Sequence, residues 1–256
     1  MDVLFEVRDG RVPLSSKHPK ADEIFGTKPR IVVLAKQDLA DAEDLKQWMD
    51  TLASAPDRGA LALSFKLRKG QDKLVSMSLK LTEPKRAALA RKGLLPRPMR
   101  ACVVGMPNTG KSTLINWLIG KNKAKTGNKP GITRGTQWVR VHPQLELLDT
   151  PGILPPVAFS HDTTMKLALC NLIPDDHYDF MDVAYYTLSM LLRENRQALH
   201  IYGDKFMAIE TPNLEDVARA RSCVGPGGVP DVRRAAVTVI NDFRNARLGQ
   251  YVLDKP

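Results

Sequence analysis

The amino-acid sequence predicts an α/β protein in which a doubly wound, mostly parallel sheet is followed by a small all-α domain. Short apolar runs of strand length alternate with helical patterns through the first 156 residues, a pattern typical of strands that helices cover on both faces. A glycine-rich segment joins one of these strands directly to a helix. Beyond residues 155–156 the strand patterns stop and helical periodicity takes over. We therefore expect two domains, residues 1–156 and residues 157–256.

The predicted strands are short, apolar and rich in β-branched residues. They are residues 3–7, 31–34, 60–63, 100–104, 137–141 and 145–148. A helix is expected from Asp41 to Ser54, with its acidic residues near the start as the helix dipole prefers. A basic amphipathic helix is expected over residues 71–92, with a break near Pro84. The last long helix should run from Asp231 to Arg247, with four exposed arginines opposite its apolar stripe: Arg233, Arg234, Arg244 and Arg247.

The segment from Gly105 to Thr113 has the G-x-x-x-x-G-K-S pattern of a phosphate-binding loop. Glycines permit close backbone approach, and the N–H groups at the start of the following helix face phosphate oxygens. Lys111 should neutralise the outer phosphates, and the Ser112 hydroxyl can reach Mg²⁺. The predicted phosphate-binding residues are Asn108, Thr109, Gly110, Lys111, Ser112 and Thr113.

Two segments further along the chain have residues suited to sensing a γ-phosphate. Thr133 lies in a polar Pro-Gly-Ile-Thr loop and can supply a second hydroxyl to Mg²⁺. Asp149 ends a predicted strand and can hold Mg²⁺ through water, while the Gly152 N–H can contact the γ-phosphate. We therefore predict Lys111, Thr133 and Gly152 as catalytic residues, and Ser112, Thr133 and Asp149 as the Mg²⁺ ligands.

A base-selecting motif occurs before the phosphate loop instead of after it. Guanine-specific sites usually have Asn-Lys-x-Asp downstream, but here Ala35-Lys36-Gln37-Asp38 follows an early strand. Asp38 could accept hydrogen bonds from guanine N1–H and the 2-amino group, a pair that adenine cannot donate. Lys36 would pack its stem along the base. Ala35 lacks the amide that would bond the base edge and brace the phosphate loop. The predicted nucleotide contacts are Ala35, Lys36, Gln37, Asp38 and Ser64, together with Gly152 and the phosphate loop.

Charge is unevenly distributed along the chain. The net charge is +10, and residues 157–256 hold 11 basic and 13 acidic residues, so the entire excess lies in residues 1–156. This asymmetry favours a polyanion-binding surface, although a solvated lysine-rich face would look the same. The three cysteines are widely spaced and indicate neither a disulfide framework nor a metal site. No apolar run reaches the roughly 18 residues that a membrane span needs.

With its base motif first and its phosphate loop later, the chain resembles the RbgA/YlqF-type circularly permuted GTPases, which act in assembly of the large ribosomal subunit. The similarity spans essentially the whole chain. It includes Asp9-Gly10-Arg11-Val12-Pro13, the phosphate loop, Pro130-Gly131-Ile132-Thr133, Asp149-Thr150-Pro151-Gly152 and Gly227-Gly228 in the helical C-terminal part. The resemblance implies a circularly permuted P-loop G domain that binds GTP and GDP with Mg²⁺.

The resemblance also implies a GTPase without the usual catalytic glutamine. Ile153 stands at that position and cannot hydrogen-bond the attacking water. The water must then be positioned by the switch-loop backbone near Thr133, by a ribosomal partner, or by bound K⁺. Asn108 would coordinate K⁺ in related cation-dependent GTPases, or else it stabilises the turn. We expect slow hydrolysis that ribosomes or K⁺ stimulate.

Two functions fit these observations. The first is a GTP hydrolase that assembles the large ribosomal subunit and contacts its rRNA through basic residues of 66–100 and through Lys121, Lys123, Lys125 and Lys129. The second is a nucleotide-gated RNA- or ribosome-binding module with little hydrolysis. In either case we expect no membrane association, a monomer when free, and a cytoplasmic location, or an organelle matrix in a eukaryote.

Overall fold

The computed structural model describes residues 1–19, 21–67, 69–95, 97–120, 138–148 and 159–256. The chain divides into two compact units. The first unit is Met1–Val157 together with Val252–Pro256, and the second is Ala158–Tyr251. The sequence placed residues 252–256 in the C-terminal domain, whereas in the structure they belong to the first unit.

The first unit is built on a six-stranded sheet. Its strands are β1 (Val3–Asp9), β2 (Arg30–Ala35), β3 (Arg58–Leu63), β4 (Met99–Val104), β5 (Trp138–His142) and β6 (Leu145–Leu148). The order across the sheet is β3-β2-β1-β4-β6-β5, and all neighbours are parallel except the antiparallel pair β5–β6. This confirms the predicted mostly parallel α/β sheet.

Helices pack on both faces of this sheet. They are α1 (Ala21–Phe25), α2 (Ala42–Leu52), α3 (Gln71–Arg91) and α4 (Lys111–Gly120), with 3₁₀ turns at Gln37–Leu39 and Phe65–Leu67. Alternate residues of β1 face opposite sides, as the period of two in a strand requires. Phe5 lies in the core that α3 and α4 cover, whereas Leu4 packs against Phe25 of α1. The sheet is therefore doubly wound, and every residue of β1 is buried.

The helix α3 runs without a break through Pro84, contrary to the interruption that the sequence predicts. Proline removes one helical hydrogen bond, here the one to the carbonyl of Lys80. Both Lys80 and Pro84 are exposed, so water can satisfy that carbonyl. On the buried side the hydroxyls of Ser78 and Thr82 donate to the carbonyls of Leu74 and Ser78, at 2.7 and 2.8 Å.

Within residues 159–251 the second unit contains helices joined by turns and loops and no strand, apart from one isolated bridge between Val224 and Pro230. Its α-helices are α5 (His161–Leu169), α6 (Phe180–Glu194), α7 (Asp204–Met207), α8 (Leu214–Ala220) and α9 (Val232–Arg244). Three 3₁₀ segments join them: Asp175–His177, Arg196–Tyr202 and Pro226–Gly228. Asp231 caps α9 by accepting a hydrogen bond from the Arg234 N–H, as the sequence indicates. The helix ends at Arg244, short of the predicted Arg247.

One of the four arginines expected on the exposed side of α9 is partly buried instead. The guanidinium of Arg244 donates to the carbonyls of Ala168 and Leu169, at 2.8 and 3.0 Å. These carbonyls belong to the last turn of α5, where helical partners are lacking. Arg233, Arg234 and Arg247 are exposed as predicted.

The three cysteines are buried and free of disulfides. No helix among the described residues combines the length and the hydropathy that a bilayer crossing requires.

Candidate nucleotide-binding site

The phosphate loop connects β4 to α4, in the strand–loop–helix context that the sequence predicts. Gly105 has a φ of +146°, and a Cβ at this position would lie 2.3 Å from the carbonyl oxygen of Val7 in β1. Residues other than glycine rarely adopt this backbone conformation, and the distance from Cβ to the Val7 oxygen would be too short for any residue that has a Cβ. Glycine at position 105 thus lets the loop start directly against the central strand.

Side chains of the loop also bond to the loop backbone. The Thr109 hydroxyl and the Lys111 ammonium both donate to the carbonyl of Met106, the former at 2.8 Å. Lys111 is half-buried, and this burial lowers the pKa of its ammonium below the ordinary value. A phosphate beside Lys111 would stabilise the charged form. Ser112, Thr113 and Asn108 are exposed at the loop and the first turn of α4.

The base motif follows β2 and is held by ion pairs. Lys36 has a left-handed backbone (φ 58°) and its Nζ lies 2.7 Å from Oδ2 of Asp9. Asp38 forms an ion pair of 3.0 Å with Lys66. Burial raises the pKa of Asp38, but the neighbouring Lys66 ammonium outweighs burial and brings this pKa below its ordinary value. Asp38 is therefore ionised at neutral pH, the state in which it can accept two hydrogen bonds.

The base motif and the phosphate loop meet at one edge of the sheet. Because β1, β2, β3 and β4 are parallel, their carboxyl ends lie together. A Cβ at Gly110 would lie 3.5 Å from the Cβ of Ala35 and 3.2 Å from a ring carbon of Phe65. Ala35 and Gly110, which are 75 positions apart in the sequence, thus lie side by side, with no room between them for a much larger side chain at position 110.

Three neighbours of the predicted residues, Asp9, Phe65 and Lys66, join the site without having been expected there from the sequence. Asp9 is fully buried and faces Lys36; burial raises its pKa, but Arg11 and Lys36 together lower this pKa to about 2. Phe65 lies against Gly110, and Lys66 pairs with Asp38. Their positions in the sequence could have indicated this role, because Asp9 ends one buried strand and Phe65 and Lys66 follow another, and both strands end at the same edge of the sheet.

The γ-phosphate side of the predicted site falls outside the described residues. This applies to Thr133, Asp149, Gly152 and Ile153, and to the basic loop with Lys121, Lys123, Lys125 and Lys129. The residues that the structure describes contain no cluster of three His, Cys, Asp or Glu side chains suited to a metal ion. The exposed hydroxyl of Ser112 at the start of α4 fits a Mg²⁺ ligand that is completed by phosphate oxygens and by groups elsewhere.

A phosphate-loop motif that lies beside a Lys-x-Asp motif preceding it in the chain is the arrangement expected of a GTPase with a circularly permuted G domain. A family model described as "50S ribosome-binding GTPase" matches residues 100–216. Ribosome biogenesis GTPase A of Bacillus cereus is 37% identical, with 100% of this chain and 87% of that protein covered. The Thermotoga maritima protein of the same name is 32% identical, over 100% of this chain and 87% of that protein.

Mitochondrial ribosome-associated GTPase 1 of Mus musculus is 32% identical, over 100% of this chain and 84% of its own length. Among solved structures, GNP-bound YlqF from T. maritima superposes with a TM-score of 0.63 at 27% identity, covering 100% of this chain and 93% of that one. The GDP-bound YlqF structure gives 0.64 at 27% identity, covering 100% and 95%. The chain belongs to the ribosome biogenesis GTPase A family, whose members hydrolyse GTP and act in ribosome assembly, and the predicted family is confirmed.

Proposed function

We propose that this GTPase binds the large ribosomal subunit through its rRNA in the GTP-bound state and is released after hydrolysis. The observation that supports the proposal is the close approach of the base motif to the phosphate loop, where a Cβ built on Gly110 would lie 3.5 Å from the Cβ of Ala35. A site that reads base and phosphates together can bias nearby loops according to the nucleotide bound. The family that matches residues 100–216 is described as a 50S ribosome-binding GTPase, which supports the assignment to the large subunit.

The residues of the site take the following roles in this proposal. Asp38 accepts hydrogen bonds from guanine, Lys36 packs on the base, and Ala35, Gln37 and Ser64 line the same end of the site. Asn108, Thr109, Gly110, Lys111, Ser112 and Thr113 surround the phosphates, and Lys111 offsets charge that develops during transfer. Ser112, Thr133 and Asp149 hold Mg²⁺, and Gly152 contacts the γ-phosphate.

Hydrolysis in this proposal is slow until a partner or K⁺ contributes to the site. Ile153 provides no group to orient water, so the orienting group must come from elsewhere. Asn108 is exposed in the phosphate loop with φ at +57°, a position from which its amide oxygen is open to a monovalent cation. A role in stabilising the turn is the competing account of Asn108.

The proposed rRNA contact includes the basic residues of α3 and the segment after it. Lys73, Lys80, Arg86, Arg91 and Lys92 are exposed, and none of the five forms an ion pair within the described part of the chain. Two other basic residues of this region, Lys85 and Arg97, are by contrast paired with Asp2, at 3.0 and 2.8 Å. Unpaired lysines and arginines bind phosphate backbones by releasing counterions. The protein is then expected in the compartment in which ribosomes are assembled, the cytoplasm or an organelle matrix. The free protein is expected to be a monomer.

GTP turnover tests this proposal when it is measured alone, with large subunits and with small subunits. We expect stimulation by large subunits only, and no turnover by the Lys111→Ala variant under any condition. Equal turnover with both subunits would contradict the large-subunit assignment. Tight GTP-dependent binding without turnover would instead favour the nucleotide-gated binding module.

A further inference from the structure

The segment Val252–Pro256 packs against the loop that follows β1, which we call the β1 loop (residues 9–16). The Leu253 N–H donates to the Arg11 carbonyl at 2.7 Å. The Asp254 carboxylate accepts three hydrogen bonds, from the N–H groups of Leu14 (2.8 Å) and Ser15 (2.7 Å) and from the Ser15 hydroxyl (2.7 Å). Asp254 is only 4% exposed. A carboxylate buried to this degree fixes the loop backbone that donates to it.

The same segment is anchored on elements that flank the base motif. The indole N–H of Trp48 in α2 donates to the Asp254 carbonyl at 3.2 Å. Val252 packs in a buried cluster with Val32 and Leu34 of β2 and with Leu45 of α2. The base motif lies between β2 and α2 in the chain. Asp254 therefore joins the β1 loop to the two elements that flank Lys36 and Asp38 in the chain.

At its other end the β1 loop contacts the base motif directly. The Gly10 N–H donates to the Ala35 carbonyl at 2.8 Å. Asp9 accepts from the Arg11 guanidinium at 2.9 and 3.0 Å and pairs with Lys36 Nζ at 2.7 Å. The Asp9 N–H donates to Ser16 Oγ, next in sequence to the Ser15 that Asp254 binds. The position of Asp9, and hence of the Lys36 ammonium, depends on the loop that Asp254 holds.

We infer that Asp254 is a positioning residue for guanine recognition. By holding the β1 loop, it keeps Asp9 against Lys36 and so keeps the Lys36-Gln37-Asp38 turn in the geometry that reads the base. This compensates for Ala35, which has no amide to brace the motif against the phosphate loop. The inference rests on the proposed assignment of Asp38 to the guanine base.

A purely structural Asp254 would also stabilise the first unit, so stability alone does not test the inference. Inosine nucleotides do, because they keep N1–H and lack the 2-amino group that Asp38 would read. A loosened base motif loses affinity for GDP more than for IDP, whereas general destabilisation lowers both alike. The ratio of the two affinities is therefore the informative quantity.

The test measures GDP and IDP affinities of the full chain for wild type, Asp254→Ala and Asp254→Asn. We expect Asp254→Ala to reduce the GDP-to-IDP affinity ratio by about tenfold, the effect of losing roughly one well-placed hydrogen bond to a charged group. Asparagine can still accept from both N–H groups of the loop, so Asp254→Asn should remain within about threefold of wild type.

Asp242 provides the matched control. It is a buried carboxylate of the second unit, 1% exposed and paired with Arg221 at 2.7 Å and Arg247 at 3.1 Å. Asp242→Ala should lower thermal stability and leave the GDP-to-IDP ratio unchanged. Should Asp254→Ala fail to fold, Ser15→Ala removes one of the three hydrogen bonds, and we expect a smaller reduction of the ratio in the same direction.

A double-mutant cycle with Lys36→Ala tests the route of the effect. Asp254→Ala should change GDP affinity much less in the Lys36→Ala background than in wild type. Additive losses, or an unchanged ratio in Asp254→Ala, would overturn the inference. If Asp38→Asn leaves the ratio at its wild-type value, the base-site assignment itself fails, and that outcome is distinguishable from a failure of Asp254 alone.

Discussion

Replacing Gly105 by alanine is expected to disrupt the first unit or its nucleotide site, and the structure gives two separate reasons. The new Cβ would lie 2.3 Å from the Val7 carbonyl oxygen, where carbon and oxygen normally stay about 3.3 Å apart or more. The backbone at Gly105 also has φ at +146°. Val7 belongs to the central strand β1 and is fully buried, so it cannot retreat.

The magnitude follows from these two terms. A non-glycine residue in a sparsely populated backbone region costs about 1–3 kcal/mol. Relieving an overlap of about 1 Å against a fixed strand carbonyl adds about 1–3 kcal/mol, as overpacking does in cores. We therefore expect the free energy of unfolding to fall by about 2–6 kcal/mol, unless the loop shifts and nucleotide affinity is lost instead.

Two glycines of the same unit serve as controls. Gly26 has φ at +55° with no atom near its Cβ position, so Gly26→Ala isolates the backbone cost, expected at about 1–2 kcal/mol. Gly120, at the end of α4, has neither a positive φ nor a close neighbour. Gly120→Ala should be neutral or stabilise by up to about 1 kcal/mol.

Urea unfolding followed by tryptophan fluorescence suits this comparison. All three tryptophans, Trp48, Trp117 and Trp138, lie in the first unit, so the signal reports on that unit alone. GDP affinity is measured on the same samples. Equal unfolding free energies and equal GDP affinities for Gly105→Ala and Gly120→Ala would contradict this prediction.

Further predictions concern the nucleotide and pH. Asp38→Asn should weaken GDP binding and favour xanthosine diphosphate, whose 2-oxo group suits an amide donor; calorimetry with both nucleotides checks this, and an unchanged preference would count against Asp38. Lys111→Ala and Ser112→Ala should abolish tight GTP binding while circular dichroism stays at wild type, since both side chains serve the ligand; normal GTP binding by Lys111→Ala would exclude the loop assignment. Asp9 has its pKa lowered from 3.8 to about 2, so its contribution, about 2 kcal/mol, is complete above about pH 4 and is lost as pH falls toward 2. The urea midpoint should follow this decline, and Asp9→Asn should flatten it.

The local pattern of the sequence was sufficient for the elements that carry the site. β2, β4 and α2 begin and end within about two residues of the predicted bounds, because buried β-branched runs and a capping aspartate are short-range signals. The phosphate loop follows from its spacing alone. Its proximity to Ala35 follows from the parallel order of the strands, which the alternation of strands and helices indicates.

Long-range contacts were not accessible in this way. Asp254 binds a loop about 240 positions earlier, and no periodicity or spacing connects the two segments. The same limitation applies to Arg244, whose guanidinium completes the end of another helix, although its helical position indicated an exposed side chain. The break expected at Pro84 rests on the general tendency of proline to disrupt helices, which does not distinguish exposed from buried positions. At an exposed position, water can replace the backbone hydrogen bond that proline cannot donate.

The most direct test of the proposed function is co-sedimentation with purified large ribosomal subunits at several KCl concentrations, with a GTP analogue and with GDP. We expect tighter binding with the analogue. A plot of the logarithm of the affinity against the logarithm of the salt concentration should have a slope of about −1 for each phosphate contact. Replacing Lys121, Lys123, Lys125 and Lys129 by alanine should flatten this slope without changing GDP affinity. Binding that is equal with both nucleotides and indifferent to salt would contradict the nucleotide-controlled rRNA contact and favour a passive scaffold.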